Sequence, residues 1–209
     1  MKYQAIVLAA GNSIRSGLSY HKIFYKLDDK TMIEHSISLF LKDEECDKVI
    51  IVVHFEDEVK IKEIIHNQKV VFVIGGQTRQ ESVKKGLEYV DTSYVIIHDG
   101  ARPYFSNQLL TQLKLALKSH DCVIPVISLN DSIKKVSNHK VEYSLNREEY
   151  KLVQCPQGFL TKQIKLAHSL AKKGDYTDDS SLIEDILHQE VFCINGERKN
   201  RKYTNEEDF

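Results

Sequence analysis

Ala5-Ile6-Val7-Leu8-Ala9-Ala10-Gly11 sets an unbroken apolar run directly against small residues and a glycine. A continuous run of this length, without alternation, predicts a strand buried on both faces of a largely parallel sheet. Four more runs repeat the pattern: Val49-Ile50-Ile51-Val52-Val53, Val70-Val71-Phe72-Val73-Ile74, Tyr94-Val95-Ile96-Ile97 and Cys122-Val123-Ile124-Pro125-Val126. Between them lie Thr31 to Leu41, Asp57 to His66, Thr78 to Val90 and Ser106 to Lys118, all with helical spacing. Met32, Ile33, Ile37, Phe40 and Leu41 form one apolar stripe; Leu109, Leu110, Leu113 and Leu117 form another. Strand and helix alternating at this pitch predict an α/β sandwich with right-handed crossovers.

After Val126 the rhythm changes. Asp131 to Val136, the polar Ser137-Asn138-His139-Lys140 and Val141 to Leu145 read as a β-hairpin. Its alternation leaves few residues to bury, which predicts an arm over about 131–150 that reaches toward a partner subunit. A short strand (Tyr150 to Gln154), a helix (Thr161 to Lys172), a helix behind Asp178-Asp179-Ser180-Ser181 and a strand (Val191 to Ile194) follow. No repeat or linker interrupts the chain, so the expectation is one domain over 1–209 with an inserted arm.

Composition excludes several classes. The 209 residues carry 29 Lys+Arg against 30 Asp+Glu, a net charge of −1. That balance argues against the general basic excess of a nucleic-acid binder. The longest apolar run, Lys48 to Phe55, is strand-length and far short of a membrane span. The N-terminal run is too short for a signal peptide. Cys46, Cys122, Cys155 and Cys193 show no metal-ligand spacing and read as reduced thiols, which predicts a cytoplasmic protein.

In open α/β sheets ligands bind beyond the carboxyl ends of the strands. The first strand ends in Ala9-Ala10-Gly11-Asn12-Ser13-Ile14-Arg15, with Lys22 close behind. Small residues there let backbone N–H groups cradle phosphate oxygens, and Arg15 and Lys22 add two cations. A tight strand–helix turn with two solvated cations is the plainer alternative. The spacing is neither GxGxxG nor GxxxxGK[ST], which argues against a dinucleotide-binding oxidoreductase and a P-loop NTPase. Two further strand ends carry Gly75-Gly76-Gln77-Thr78-Arg79-Gln80-Glu81-Ser82 and His98-Asp99-Gly100-Ala101-Arg102-Pro103. Asp99 sits where a carboxylate can hold a divalent metal, accept a substrate hydroxyl, or pair with Arg102.

Taken in order, these segments resemble the 2-C-methyl-D-erythritol 4-phosphate cytidylyltransferase family. The resemblance runs on through Asp131-Ser132-Ile133-Lys134, Arg147, Pro156-Gln157-Gly158-Phe159, Thr177-Asp178-Asp179-Ser180-Ser181-Leu182 and Asn200-Arg201-Lys202-Tyr203-Thr204. It implies a three-layer Rossmann-like nucleotidyltransferase fold and transfer of CMP from CTP to methylerythritol phosphate, releasing pyrophosphate in non-mevalonate isoprenoid synthesis. It implies Arg15, Lys22, Arg147 and Lys202 as catalytic residues. CTP would lie against Ala9, Ala10, Gly11, Asn12, Ser13, Gly75, Gly76, Ser82, Asp99 and Gly100. The polyol phosphate acceptor would meet Asp99, Arg102, Ser132, Arg147, Thr177 and Lys202. Mg²⁺ would be held mainly by the CTP phosphates, with Asp99 as the protein ligand, and a homodimer would form through the arm.

The chain departs from the family pattern at several points. Ser13 and Ser16 replace a glycine and a methionine, and the usual Pro-Lys-Gln is His21-Lys22-Ile23. Thr-Pro-Gln becomes Cys155-Pro156-Gln157, and Asn-Ile-Lys becomes Asn200-Arg201-Lys202. Two alternatives are a ribitol 5-phosphate cytidylyltransferase and a catalytically inactive nucleotide-binding homologue. Ribitol enzymes usually carry a valine in the aspartate–arginine motif, where this chain has Gly100-Ala101, and lack the Lys134 equivalent.

Overall fold

All five continuous apolar runs are strands of one sheet in the computed structural model, which describes residues 1–11, 16–172 and 176–209. The chain begins with β1 (Tyr3–Ala9), a small hairpin of β2 (Lys26–Leu27) and β3 (Lys30–Thr31), α1 (Met32–Lys42) and β4 (Cys46–Val53). It continues through α2 (Glu58–Ile64), β5 (Val70–Ile74), α3 (Arg79–Leu87), β6 (Tyr94–Asp99), α4 (Asn107–Ala116) and β7 (Cys122–Ser128). The last part holds β8 (Ile133–Ser137), β9 (Lys140–Leu145), β10 (Lys151–Val153), β11 (Gln157–Leu160), α5 (Thr161–Leu170), α6 (Ser180–Leu187) and β12 (Phe192–Asn195).

Among the described residues the sheet has eight strands. It runs β5-β4-β1-β6, then β11 antiparallel, then β7, whose distal half pairs with β10 and which also pairs with β12. The pairs β5–β4, β4–β1, β1–β6 and β7–β12 are parallel. Continuous hydrophobicity has its explanation in the two cores. Ala5, Val7 and Ala9 of β1 pack with Ile33, Ile37 and Phe40 of α1 and with Leu109, Leu110 and Leu113 of α4. Ile6, Ile50 and Val52 face the other way, toward Val83 and Leu87 of α3, Ile164 and Ala167 of α5, and Leu182 and Ile183 of α6.

The chain leaves β1 to build β4 and β5 on one side, then returns to place β6 on the other. Crossovers therefore diverge between β1 and β6, and a crevice opens at their carboxyl ends. Thr78 caps α3 there, accepting a hydrogen bond from the Glu81 N–H at 3.1 Å. The predicted hairpin is present as a separate two-stranded sheet of β8 and β9. Asn138 and His139 turn it with φ of 48° and 62°. The two-residue turn with positive φ at both positions suits the strand twist.

The β2–β3 hairpin is additional to the sequence expectation, and so is one strand of the main sheet. β11 follows Pro156 and contains Gly158, a composition that reads as a turn. Gly158 is needed because a Cβ there would stand 2.5 Å from Leu117 Cδ1.

Helix α3 lies close on the sheet at Gly86, where a Cβ would meet Ile6 Cγ2 at 3.0 Å and Val52 Cγ2 at 3.1 Å. Gly86→Val adds bulk with no room to receive it. We expect a loss of about 1–3 kcal/mol, the usual cost of overpacking. The denaturant midpoint checks this, and a midpoint at or above that of the parent would refute the tight α3–β1 contact.

Candidate active site

Five chain segments meet at the β1–β6 crevice. β1 leads into Ala9, Ala10 and Gly11; Lys22 comes from the segment before β2; α3 brings Arg79 and Ser82; β6 ends at Asp99; and the C-terminal segment supplies Lys202. They enclose a cleft of about 350 Å³. A neighbouring hollow over the ends of β4 and β5 shares Ala10, Gly76 and Gln77 with it and adds Gly75.

The centre of the cleft is a shared carboxylate. Lys202 Nζ lies 2.8 Å from Asp99 Oδ2, Arg79 Nε 3.7 Å from Oδ1, and Arg102 Nε 3.9 Å from Oδ2. Burial alone would raise the Asp99 carboxyl; Lys202, Arg79 and Arg102 outweigh it and hold the group below the usual carboxylate range. Arg79 also reaches Asp179 at 2.7 Å, and Asp179 is 1% exposed. Burial would raise Asp179 as well, and Arg79 and His168 bring it down.

Lys202 is delivered by a pinned segment. The Asn200 amide donates to the Cys155 carbonyl at 2.6 Å, and Gln154 Nε2 donates to the carbonyls of Glu197 and Asn200 at 2.9 and 3.1 Å. The Tyr203 N–H donates to the Ala101 carbonyl at 2.9 Å. Lys22 Nζ donates to the Tyr203 carbonyl at 3.0 Å, which brings the two lysines to the same wall. Beneath β6, His98 is fully buried and pushed down to about 4 by that burial. Its Nε2 lies 2.9 Å from the Arg102 carbonyl and its Nδ1 3.2 Å from Cys155 Sγ. The Cys155 thiol, pushed up to about 12 by burial, is a packed neutral group.

Of the residues singled out in the sequence, Ala9, Ala10, Gly11, Gly76, Ser82, Asp99, Lys22 and Lys202 line the cleft. Ser82 is buried, and its Oγ accepts from the Gly76 N–H at 3.1 Å, bracing the glycine loop. Gly75 fits because a Cβ there would come within 2.5 Å of Ala10 Cβ.

Gly100 and Arg102 stand behind the cleft lining. Gly100 lies under the cleft floor: its N–H donates to the Leu8 carbonyl at 2.9 Å and its carbonyl accepts from Ser36 Oγ at 2.8 Å. Arg102 donates to the Asn200 carbonyl at 2.8 Å, so it props up the segment that carries Lys202. Ser132, Arg147 and Thr177 are exposed and outside the cleft wall, with Arg147 donating to the Asn130 carbonyl. Asn12, Ser13 and Arg15 lie outside the described residues.

The sequence reading left out Arg79, Asp179 and His21. Arg79 was within reach, since Thr78 is a recognisable helix N-cap after Gly75-Gly76, and a first-turn residue of that helix faces the crevice.

The family model for 2-C-methyl-D-erythritol 4-phosphate cytidylyltransferase, IspD, matches residues 3–209. Curated relatives of that description include the Bacillus cytotoxicus protein, 35% identical over 99% of this chain and 94% of its own length. Another, from Geobacillus thermodenitrificans, is 36% identical over 100% and 94%. Among solved structures, 4-diphosphocytidyl-2C-methyl-D-erythritol synthase from Anaerococcus prevotii superposes with a TM-score of 0.87 at 29% identity, covering 99% of this chain and 92% of that one. The Thermus thermophilus 2-C-methyl-D-erythritol 4-phosphate cytidylyltransferase gives 0.82 at 27% identity, covering 100% and 95%.

Asp99→Asn removes the charge that three cations share. With Lys202 partly in water to soften the loss, the expected destabilisation is about 3 kcal/mol, the lower end for breaking a buried pair. The pH sign follows from the lowered carboxyl. Its stabilisation is complete above the unfolded value near 4 and is lost as pH falls toward the folded value. Urea titrations from pH 7 down to pH 2 should therefore show a shallower acid limb for Asp99→Asn; parallel limbs would remove Asp99 from the charge network.

Proposed function

The chain belongs to the 2-C-methyl-D-erythritol 4-phosphate cytidylyltransferase family, and on that premise we propose that the β1–β6 cleft is where CTP meets methylerythritol phosphate. The enzyme is a nucleotidyltransferase of isoprenoid precursor synthesis, with CTP and a phosphorylated erythritol as substrates. The observation that carries the assignment of the site is the convergence of Lys22, Arg79 and Lys202 on the one cleft that holds Asp99.

Attack of a phosphomonoester on the α-phosphorus brings two anions together, so positioning and positive charge supply most of the acceleration. Lys22 neutralises charge growing on the α-phosphate and on the departing pyrophosphate, and the family resemblance gives Arg15, seven positions earlier in the sequence, the same role. Lys202 exchanges part of its hold on Asp99 for the acceptor phosphate and aims it in line. Asp99, freed on one side, accepts an acceptor hydroxyl. The acceptor phosphate is already ionised at neutral pH, so no general base is required. The nucleoside lies toward Gly75 and Gly76, where backbone and small side chains suit a pyrimidine.

Family members typically use a divalent metal. Asp99 already has three cations within 4 Å, and no cluster of three ligating side chains occurs among the described residues. This carboxylate does not fit a further resident cation, and Mg²⁺ enters as the counter-ion of the triphosphate substrate.

Arg147 and Ser132 serve the acceptor across a homodimer, with the arm reaching the partner's cleft, and Thr177 offers it a further hydroxyl. Support comes from the arm's exposed Val136, Val141 and Tyr143, at 57, 61 and 50%. The chain acts as one catalytic domain in the cytoplasm, and no helix among the described residues is long and apolar enough to cross a membrane. The curated relatives disfavour ribitol phosphate as acceptor. Lys22 and Lys202 together in the cleft argue against an inactive homologue.

Pyrophosphate release should require CTP, Mg²⁺ and methylerythritol phosphate together; turnover of ribitol 5-phosphate alone would overturn the acceptor assignment. Arg147→Ala should raise the acceptor KM about tenfold or more, as expected on losing one charge-assisted phosphate contact. Mixing Arg147→Ala with Lys22→Ala protein should recover part of the activity, since one site in a mixed dimer keeps both groups. No recovery would confine each site to a single chain.

A further inference from the structure

His21 immediately precedes Lys22, so an ionisable ring neighbours one of the cleft's lysines. His21 is part of the cleft wall beside Lys22. Its Nδ1 lies 2.6 Å from Asp57 Oδ2, with the two side chains 9% and 19% exposed. A carboxylate at that distance accepts a hydrogen bond from Nδ1–H and fixes the ring's orientation. Nε2 is then the ring's available polar atom, with no hydrogen-bond partner among the described residues.

The charges around the ring come from both elements packed on it. Lys22 follows it in the chain, Asp57 and His54 face it from the segment before α2, and Glu56 lies 3.6 Å from His54. Lys60 of α2 stands 4.0 Å from the Phe24 ring and 6.0 Å from the Tyr20 ring. Burial holds the free imidazole below its usual range; Asp57 works in the opposite direction, while Lys22 and His54 reinforce the lowering. A polyanion docking at Lys22 would favour the protonated ring.

We propose that His21 is a phosphate-binding residue of this site, taking a proton from solvent as CTP docks and donating from Nε2 to the phosphates that leave as pyrophosphate. The inference rests on the reading that the cleft takes CTP. The proton stays on the ring while the triphosphate is bound and returns to solvent after pyrophosphate departs; no substrate bond is made to the imidazole. Asp57 is the positioning residue that holds Nδ1–H and leaves Nε2 as the donor.

Titration calorimetry of CTP and of CMP in buffers of different ionisation heat measures the protons taken up on binding. Near neutral pH the parent should take up more protons with CTP than His21→Gln does, the ligand's own ionisation cancelling between the two proteins. With CMP, which lacks the β- and γ-phosphates, the two proteins should agree. In turnover, His21→Gln should raise the CTP KM about tenfold with kcat changed much less, one charge-assisted hydrogen bond being the loss. That KM difference should shrink as pH rises past the imidazole range. Equal proton uptake by both proteins, with CTP bound normally, overturns the proposal. Absence of CTP binding to the parent would instead overturn the assignment of the cleft. Should His21→Gln fail to fold, Asp57→Asn keeps the ring and removes its carboxylate; lower proton uptake with CTP is expected, and unchanged uptake overturns the proposal.

Discussion

One carboxylate organises this site. Lys202, Arg79 and Arg102 approach Asp99 from three separate parts of the chain, and without it they would repel one another at close range. Like charges a few ångströms apart repel by several kcal/mol at the effective dielectric of a protein surface. Asp99 lets the fold assemble cations before any substrate arrives. On the proposed function, a phosphate entering the cleft would meet donors already gathered there, which is the economical way to stabilise charge that develops during reaction.

The arrangement ties the site to the far end of the chain. Asn200 is fully buried, with its amide on the Cys155 carbonyl and its own carbonyl accepting from Gln154 and Arg102. Glu197 adds a hydrogen bond from the Ser106 N–H at 3.0 Å, at the start of α4. Lys202 therefore inherits its position from β7's neighbours and from the loop after β6. Arg102, whose side chain looks like a substrate contact in the sequence, contributes at one remove by propping that segment.

Much of the fold was legible because burial on two faces leaves a distinctive mark. β1, β4, β5, β6 and β7 each read as an uninterrupted apolar run, and the hairpin read as alternation with a polar turn. β11 left no such mark: four residues beginning after a proline and holding a glycine carry no periodicity, and its identity comes from neighbours on both sides. The site was legible where small residues and lone cations end a strand, as at Gly11, Lys22 and Asp99. Asp179 was hidden because its meaning is a pairing with Arg79 across 100 positions, which spacing along the chain does not encode.

The arm follows a different logic from the rest of the molecule. A two-stranded ribbon is marginal in water by itself, and this one exposes Val136, Val141 and Tyr143 while making its own ladder of hydrogen bonds. Lys134 and Ser144 are bonded across it, and Lys135 pairs with Glu142 at 2.9 Å. Such local polar links set the register without supplying a core. Apolar side chains left on a ribbon this short gain their burial from a second surface. On the dimer reading that surface belongs to the partner, and the same docking that covers the valines carries Arg147, at the base of the ribbon, toward an acceptor phosphate. Stability of the arm and completion of the site then have a single cause, which accounts for an arginine placed well outside the cleft of its own chain.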